Sequence, residues 1–184
     1  MVKGYDSASM TVLHKELNIS RGAMYRYFPS KDDLFIAVID KYLFGVIDRL
    51  HPNFGQEDVT VADRIDLSYK HLLKVAKFFD GIDNMDIKFF NFTALMIQAA
   101  KRYPGFIEKL RSYKQDTIRE WEKAILKSIE KKEIKEDVDV KLLALFFSKS
   151  ITYLDNWDEG GKCFVKGVKK SKKMVNYIYS LIEK

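Results

Sequence analysis

Cysteine is almost missing. Cys163 stands alone in 184 residues, so no internal disulfide can form, and the chain suits a reducing cytoplasm. Proline is nearly as scarce: Pro29, Pro52 and Pro104, with nine glycines, are all the strong turn formers there are. That scarcity favours long helices over many short strands. His14, His51 and His71 are widely separated, and no His-x-x-x-His pair, Cys cluster, Gly-rich phosphate loop or nucleophile elbow occurs. We therefore expect neither an enzyme nor a bound metal or cofactor. No stretch approaches the roughly 20 apolar residues of a membrane span. No leader-like segment separates Met1 from Lys3-Gly4-Tyr5, so we expect a cytoplasmic protein with no membrane partner.

What the chain does have is apolar material and uneven charge. Hydrophobic residues make up 47% of it, ample for a core. The net charge is +6. Residues 1–31 hold five Lys/Arg against two Asp/Glu, and residues 162–184 hold seven against one. The stretch between them is mildly acidic. A basic N-terminal end points to nucleic acid if a reading element lies there. The lysine run Lys166, Lys169, Lys170, Lys172 and Lys173 is simpler to read as the solvated face of a last helix.

The N-terminal end carries such an element. Ser9 stands as an N-cap before Met10-Thr11-Val12-Leu13-His14-Lys15-Glu16-Leu17, with Met10, Leu13 and Leu17 on one face. Asn18 suits the left-handed residue that ends a helix, and Ile19 is expected to pack inward. Ser20 caps a second short helix, with Met24 and Phe28 toward the core and Arg21, Gly22, Ala23, Tyr25 and Arg26 left outside. Helix, short turn, helix is the grammar of a helix-turn-helix. Gly22 and Ala23 are small where a helix front would press into a major groove. Pro29 stops that helix and Ser30 caps the next, with Asp32 and Asp33 in its first turn. An apolar stripe of Leu34, Phe35, Val38, Ile39, Tyr42, Leu43, Val46, Ile47 and Leu50 predicts one long helix to about residue 50.

His51-Pro52-Asn53-Phe54-Gly55 is the clearest break. It divides the chain into residues 1–50, a DNA-binding unit with its connecting helix, and 51–184, an effector-binding and dimerisation unit. In the second part, Asp58 or Thr60 opens a helix to about Phe79. Others are expected over 85–102, from Pro104 to about Lys131, from Val140 to about Asn156 after an Asp139 cap, and from about Cys163 to Ile182. Val140, Leu143, Phe147, Ile151 and Leu154 form one apolar row. Leu142, Phe146 and Tyr153 form a second about 100° round the helix. So broad an arc suggests that this helix touches its own core and something else. The fold class is all-α.

The run from Gly4 to Phe35, GYDSASMTVLHKELNISRGAMYRYFPSKDDLF, resembles the DNA-binding signature of the tetracycline-repressor (TetR) family. That signature is a glycine–aromatic pair, a Ser/Thr cap, a short helix, and then Ser-x-Gly-x-(Leu/Met)-Tyr-x-Tyr-Phe-x-(Ser/Asn)-Lys-x-x-Leu. Ser20 to Leu34 meets every element of the last run. Beyond residue 50 the likeness is one of helix pattern only. Two points depart from the family. His14-Lys15-Glu16 replaces a segment that often contains alanine. The family's first helix, which should precede the Gly–Tyr pair and cover Leu13 and Leu17, is represented only by Met1-Val2-Lys3. A covering segment upstream of Met1 is therefore expected, and without it a loose three-helix unit.

The resemblance implies a homodimeric, ligand-responsive repressor with an N-terminal helix-turn-helix and a helical C-terminal domain. Each subunit would place Ser20 to Tyr27 in a major groove of double-stranded operator DNA. Arg21 and Arg26 are candidates for base edges or phosphates. Tyr25, Tyr27 and Lys31 carry over as phosphate contacts, with Ser9 and Thr11 at the front of the preceding helix. The last two helices would build the homodimer. Phe78, Phe89, Phe92, Met96, Trp121, Phe146 and Tyr153 are candidates to line a cavity for a small apolar effector. The rival reading is a dimeric helical ligand-binding or interaction protein that no longer reads DNA.

Overall fold

Side-chain caps decide where the helices begin. In the computed structural model, which describes residues 5–45, 58–80, 85–151 and 164–184, Ser9, Ser20 and Ser30 each accept a hydrogen bond from a backbone N–H three residues on. The donors are Val12, Ala23 and Asp33, at 3.2, 3.2 and 3.1 Å. Each cap satisfies one of the donors that a helix start leaves open and stabilises it by about 1 kcal/mol. They open α1 (Met10–Glu16), α2 (Arg21–Tyr27) and α3 (Lys31–Ile39). Ser30 is doubly held, because Asp33 reaches back to its N–H as a capping box. A single turn of 3₁₀ helix, Tyr5–Ser7, precedes α1. Asn18 takes the left-handed conformation, φ 52°, between α1 and α2.

The chain divides by its internal contacts into two units. The first comprises Met1–Arg49 with Ile87–Lys109, and the second Leu50–Asp86 with Leu110–Lys184. A linear cut at residue 50 misses this return, in which residues from α5 (Met85–Arg102) join the N-terminal helices. At the end of α5, Tyr103-Pro104-Gly105 turns the corner. Gly105 has φ +74°, a conformation that glycine adopts without steric cost. α6 (Phe106–Glu130) then begins two residues later than its proline suggested.

The core of the first unit explains one misreading of the sequence. α3 does not continue as an α-helix but widens into a π turn over Asp40–Phe44. A π turn steps five residues where an α turn steps four. The step from Ile39 therefore brings Phe44 inward, 1% exposed, and swings Tyr42 out to 63%. An uninterrupted α stripe had put Tyr42 in the core and had passed over Phe44. Phe44 packs against Tyr103 and Phe106, each with ring centroids 5.6 Å away. Burying such a ring is worth roughly 1.5–3 kcal/mol. Leu17 and Ile19, expected inside, are exposed. No helix among the described residues covers them.

In the second unit α4 (Val61–Asp80) supplies Val61, Ile65, Tyr69, Leu72 and Ala76, a stripe at helical spacing. It opens at Thr60, whose hydroxyl and N–H exchange hydrogen bonds with Asp63. Against it lie Trp121 and Ile125 of α6, Ala144 and Phe147 of α7 (Val140–Ser150), and Val168 and Val175 of α8 (Phe164–Ile182). Tyr69 and Arg64 carry polar groups into this core. Tyr69 donates to Ser171 Oγ at 2.6 Å, because Ser171 itself donates to the Ser150 carbonyl. The buried Arg64 faces Glu120 at 3.5 Å and lies 5.1 Å from the Trp121 ring. Burial pushes its pKa down to about 10 against the pull of Glu120, so it remains charged at neutral pH. An isolated antiparallel bridge pairs Ile134 with Glu183. Among the described residues the fold is otherwise all-α, and no described helix is long and apolar enough to cross a membrane.

Candidate nucleic-acid interface

α2 is held by very little of itself. Met24 is its buried residue, and Phe28, just past its end, is half-buried. Most of the rest of it faces outward. Arg21, Gly22, Tyr25, Arg26 and Tyr27 are exposed, as are Ser20 before them and Ser9 and Thr11 at the front of α1. Ala23 and Lys31 are half-buried. The ten positions read from the sequence thus gather on α1, α2 and the start of α3. Among the described residues neither Arg21 nor Arg26 has a carboxylate partner. Arg21 lies over the Tyr25 ring at 5.6 Å, which stiffens one arginine without neutralising it.

Gly22 leaves the front of this face bare. A Cβ placed there would meet nothing within 4 Å, and its φ is not positive. The fold does not require glycine at this position, yet glycine in a helix costs up to about 1 kcal/mol against alanine. A front kept bare at a cost to the helix is suited to close approach by another molecule.

A cluster around Tyr5 braces the start of α3. The Tyr5 ring packs edge-on against Phe35, with centroids 4.9 Å apart, and its hydroxyl donates to Asp32. Burial, and then that hydrogen bond, raise the phenol's pKa, so it is a donor at neutral pH. Two cations lie over the ring, Lys31 Nζ at 3.9 Å and the Arg102 guanidinium at 4.1 Å from its centroid. Arg102 also pairs with Asp32 at 3.4 Å and Asp6 at 3.5 Å. A second set of contacts holds the π turn. Asp40 accepts from Tyr103 at 2.7 Å and from Lys109 at 3.0 Å. Sequence reasoning passed over Arg102, Asp40, Tyr103 and Lys109. The only available hint was the aromatic of the glycine–aromatic pair, Tyr5.

Of the residues proposed for an effector cavity, the side chains of Trp121, Phe146 and Met96 are described. Trp121 is core, stacked on Phe147 at 5.0 Å. Phe146, expected to face the same space, instead lies on the surface of α7, because its neighbour Phe147 takes the inward position. Met96 is half-buried on α5. Tyr153, and the side chains of Phe78, Phe89 and Phe92, lie outside the described residues. No group of three or more metal-ligating side chains occurs among the described residues.

Fold and site together define an all-helical protein with an N-terminal helix-turn-helix whose outer face is open and basic. The profile of the family described as "Bacterial regulatory proteins, tetR family" matches residues 1–38. The helix-turn-helix region of the chain is thus similar to that of the TetR family of transcriptional regulators. The chain is 48% identical over 48 residues to the uncharacterized HTH-type transcriptional regulator YuxN of Bacillus subtilis, an alignment covering 26% of this chain and 16% of that protein. It is 28% identical over 107 residues to the nucleoid occlusion factor SlmA of Haemophilus ducreyi, covering 44% of this chain and 53% of that one. The chain thus spans about half, or much less, of the length of these relatives. Among solved structures, the TetR family regulator PfmR from Thermus thermophilus superposes with a TM-score of 0.58 at 18% identity, covering 94% of this chain and 90% of that one. The ketosteroid transcriptional regulator KstR2 of Mycobacterium tuberculosis gives 0.53 at 13% identity, covering 99% and 88%. At such identities these likenesses speak to the fold.

Proposed function

We propose that the chain is a repressor that binds operator DNA as a homodimer and is released by a small apolar effector. The observation that carries the DNA-binding part is the outer face of α2. Arg21, Tyr25, Arg26 and Tyr27 stand exposed around a bare Gly22, with Met24 as the helix's buried anchor. Tyr25, Tyr27, Lys31, Ser9 and Thr11 are assigned to phosphates, and Arg21 and Arg26 to base edges or phosphates, with an arginine able to pair bidentately with guanine.

The dimer is assigned to α7 and α8. Leu142 and Phe146 on α7, and Met174, Tyr177 and Leu181 on α8, are large apolar side chains left exposed at helical spacing. A two-fold pairing would cover them. Release follows only if the effector prefers a state in which the two α2 helices no longer match successive major grooves. Among the described side chains suggested for its cavity, Trp121 is buried and Met96 half-buried.

Selection of duplexes from a random pool, followed by gel shift, tests the proposal. The expected result is an enriched, two-fold-related sequence, with binding weakened at least ten-fold by Arg26→Ala. Absence of any enriched sequence would favour the helical ligand-binding or interaction protein instead.

A further inference from the structure

Lys31 opens α3 beside two carboxylates, Asp32 and Asp33, and is paired with neither. Asp33 is committed to the Ser30 cap, accepting from its N–H at 3.0 Å and its hydroxyl at 2.6 Å. Asp32 accepts from the Tyr5 hydroxyl and from Arg102. With both neighbours engaged elsewhere, the Lys31 ammonium lies over the face of Tyr5, 3.9 Å from the ring centroid. A π face attracts a cation without neutralising it. The three N–H donors of an ammonium are not used up by a ring on one side.

We infer that Tyr5 is a positioning residue for Lys31, its fixed ring holding the ammonium at the start of α3 ready for a DNA phosphate. This rests on the DNA-binding reading and deepens it. A lysine side chain is long and flexible, and ordering it on binding costs entropy. A ring already in place removes part of that cost. The ring is itself fixed on three sides: edge-on by Phe35, through its hydroxyl by Asp32, and by the Arg102 guanidinium. Arg102 comes from the end of α5, so a residue 71 positions along from Lys31 takes part in placing it. Arg102 is in turn held by Gln98, which accepts from its Nε at 3.0 Å and donates to Asp6 at 3.4 Å. The arrangement keeps a positive charge uncompensated yet immobile.

The test needs no operator. Affinity for a random-sequence duplex is measured by fluorescence anisotropy across a salt series, for wild type, Lys31→Ala, Tyr5→Leu, Tyr5→Phe and the Lys31→Ala/Tyr5→Leu double variant. Lys31→Ala should lower the slope of log K against log salt by about 0.9 per subunit, one phosphate contact. Tyr5→Leu should lose about two- to five-fold in affinity, as expected for one exposed cation–π contact. Tyr5→Phe, which keeps the ring, should restore that loss. In the Tyr5→Leu background, Lys31→Ala should cost clearly less than it does alone. Additive losses, or a Tyr5→Leu variant that binds like wild type, would overturn the positioning role while leaving DNA binding intact. A wild-type chain that binds no duplex at low salt would overturn the DNA-binding reading and this inference with it. Should Tyr5→Leu not fold, the wild-type protein decides the matter by NMR. The Lys31 ε-methylene protons, identified by their loss in Lys31→Ala, should resonate upfield of those of the other lysines because they lie over a ring. An ordinary shift would overturn the inference.

Discussion

Asp40 and Tyr103 stand 63 residues apart in the chain and meet at 2.7 Å, the phenol donating to the carboxylate. Lys109 closes the group, 3.0 Å from Asp40 and 3.3 Å from the Tyr103 oxygen. Asp40 is the first residue of the π turn, so these two partners hold the turn at its start.

That relationship predicts a pH dependence. Burial alone would raise the Asp40 pKa, but the hydrogen bonds from Tyr103 and Lys109, with the ammonium's charge, outweigh it and hold the carboxyl below its ordinary 3.8. A carboxyl depressed in the folded state stabilises fully above its unfolded pKa, and that stability is lost as pH falls through the folded value. Lys109 behaves in the opposite sense. Burial alone would lower its pKa, but Asp40 and Tyr103 outweigh it and raise the value above 10.5, so its contribution fades as pH rises through the folded value. Asp40→Asn should therefore unfold at lower urea than wild type by a constant margin from neutral pH down to about pH 4, and the margin should shrink below that. A margin independent of pH down to about pH 2 would contradict the assignment.

Gly22→Ala should separate stability from binding. With open space around the position, alanine should stabilise the helix-turn-helix by up to about 1 kcal/mol. The same methyl stands on the face assigned to the groove, so DNA affinity should fall. Urea unfolding and anisotropy on the same preparations would check both halves.

Leu142→Glu combined with Tyr177→Glu places charge in the exposed apolar stripe of α7 and α8 while leaving Phe147 and Val175 beneath it untouched. Sedimentation velocity should give a dimer for wild type and a monomer of unchanged helix content for the double variant. A wild-type monomer at micromolar concentration would remove the dimer assignment.

Glu120→Ala should cost about 1–3 kcal/mol, because it takes the carboxylate from beside a guanidinium that is 3% exposed. Arg64→Met with Glu120→Gln should recover much of that loss, since a buried ion pair replaced by apolar volume is often close to neutral. Chemical denaturation of the three chains measures it. A neutral Glu120→Ala would show that the pair contributes little.

What could be read from the chain was local. Ser9, Ser20, Ser30 and Asp139 are all caps in the structure, as their spacing foretold. Thr60, not Asp58, opens α4. Each of these depends on a bond across three residues, so the sequence window contains the whole cause. The outward face of α2 was legible for the same reason. Arg102 was not, because its partners Asp6 and Asp32 are dozens of residues away and nothing in the α5 sequence names them. The π turn was hidden differently. Its residues, Asp40-Lys41-Tyr42-Leu43-Phe44, also fit an α-helix, and only packing of Phe44 against Tyr103 and Phe106 selects the wider turn.

A π turn is also what an α-helix becomes when one residue is inserted and both flanks keep their places. In an ordinary helix a single-residue insertion or deletion turns every later side chain by about 100°. Here one turn absorbs it. Removing the exposed Tyr42 would make Ile39 and Phe44 neighbours at α spacing, with both still facing inward. This segment is thus a place where the length of the gene can drift by one codon without exchanging the inner and outer faces of the helix.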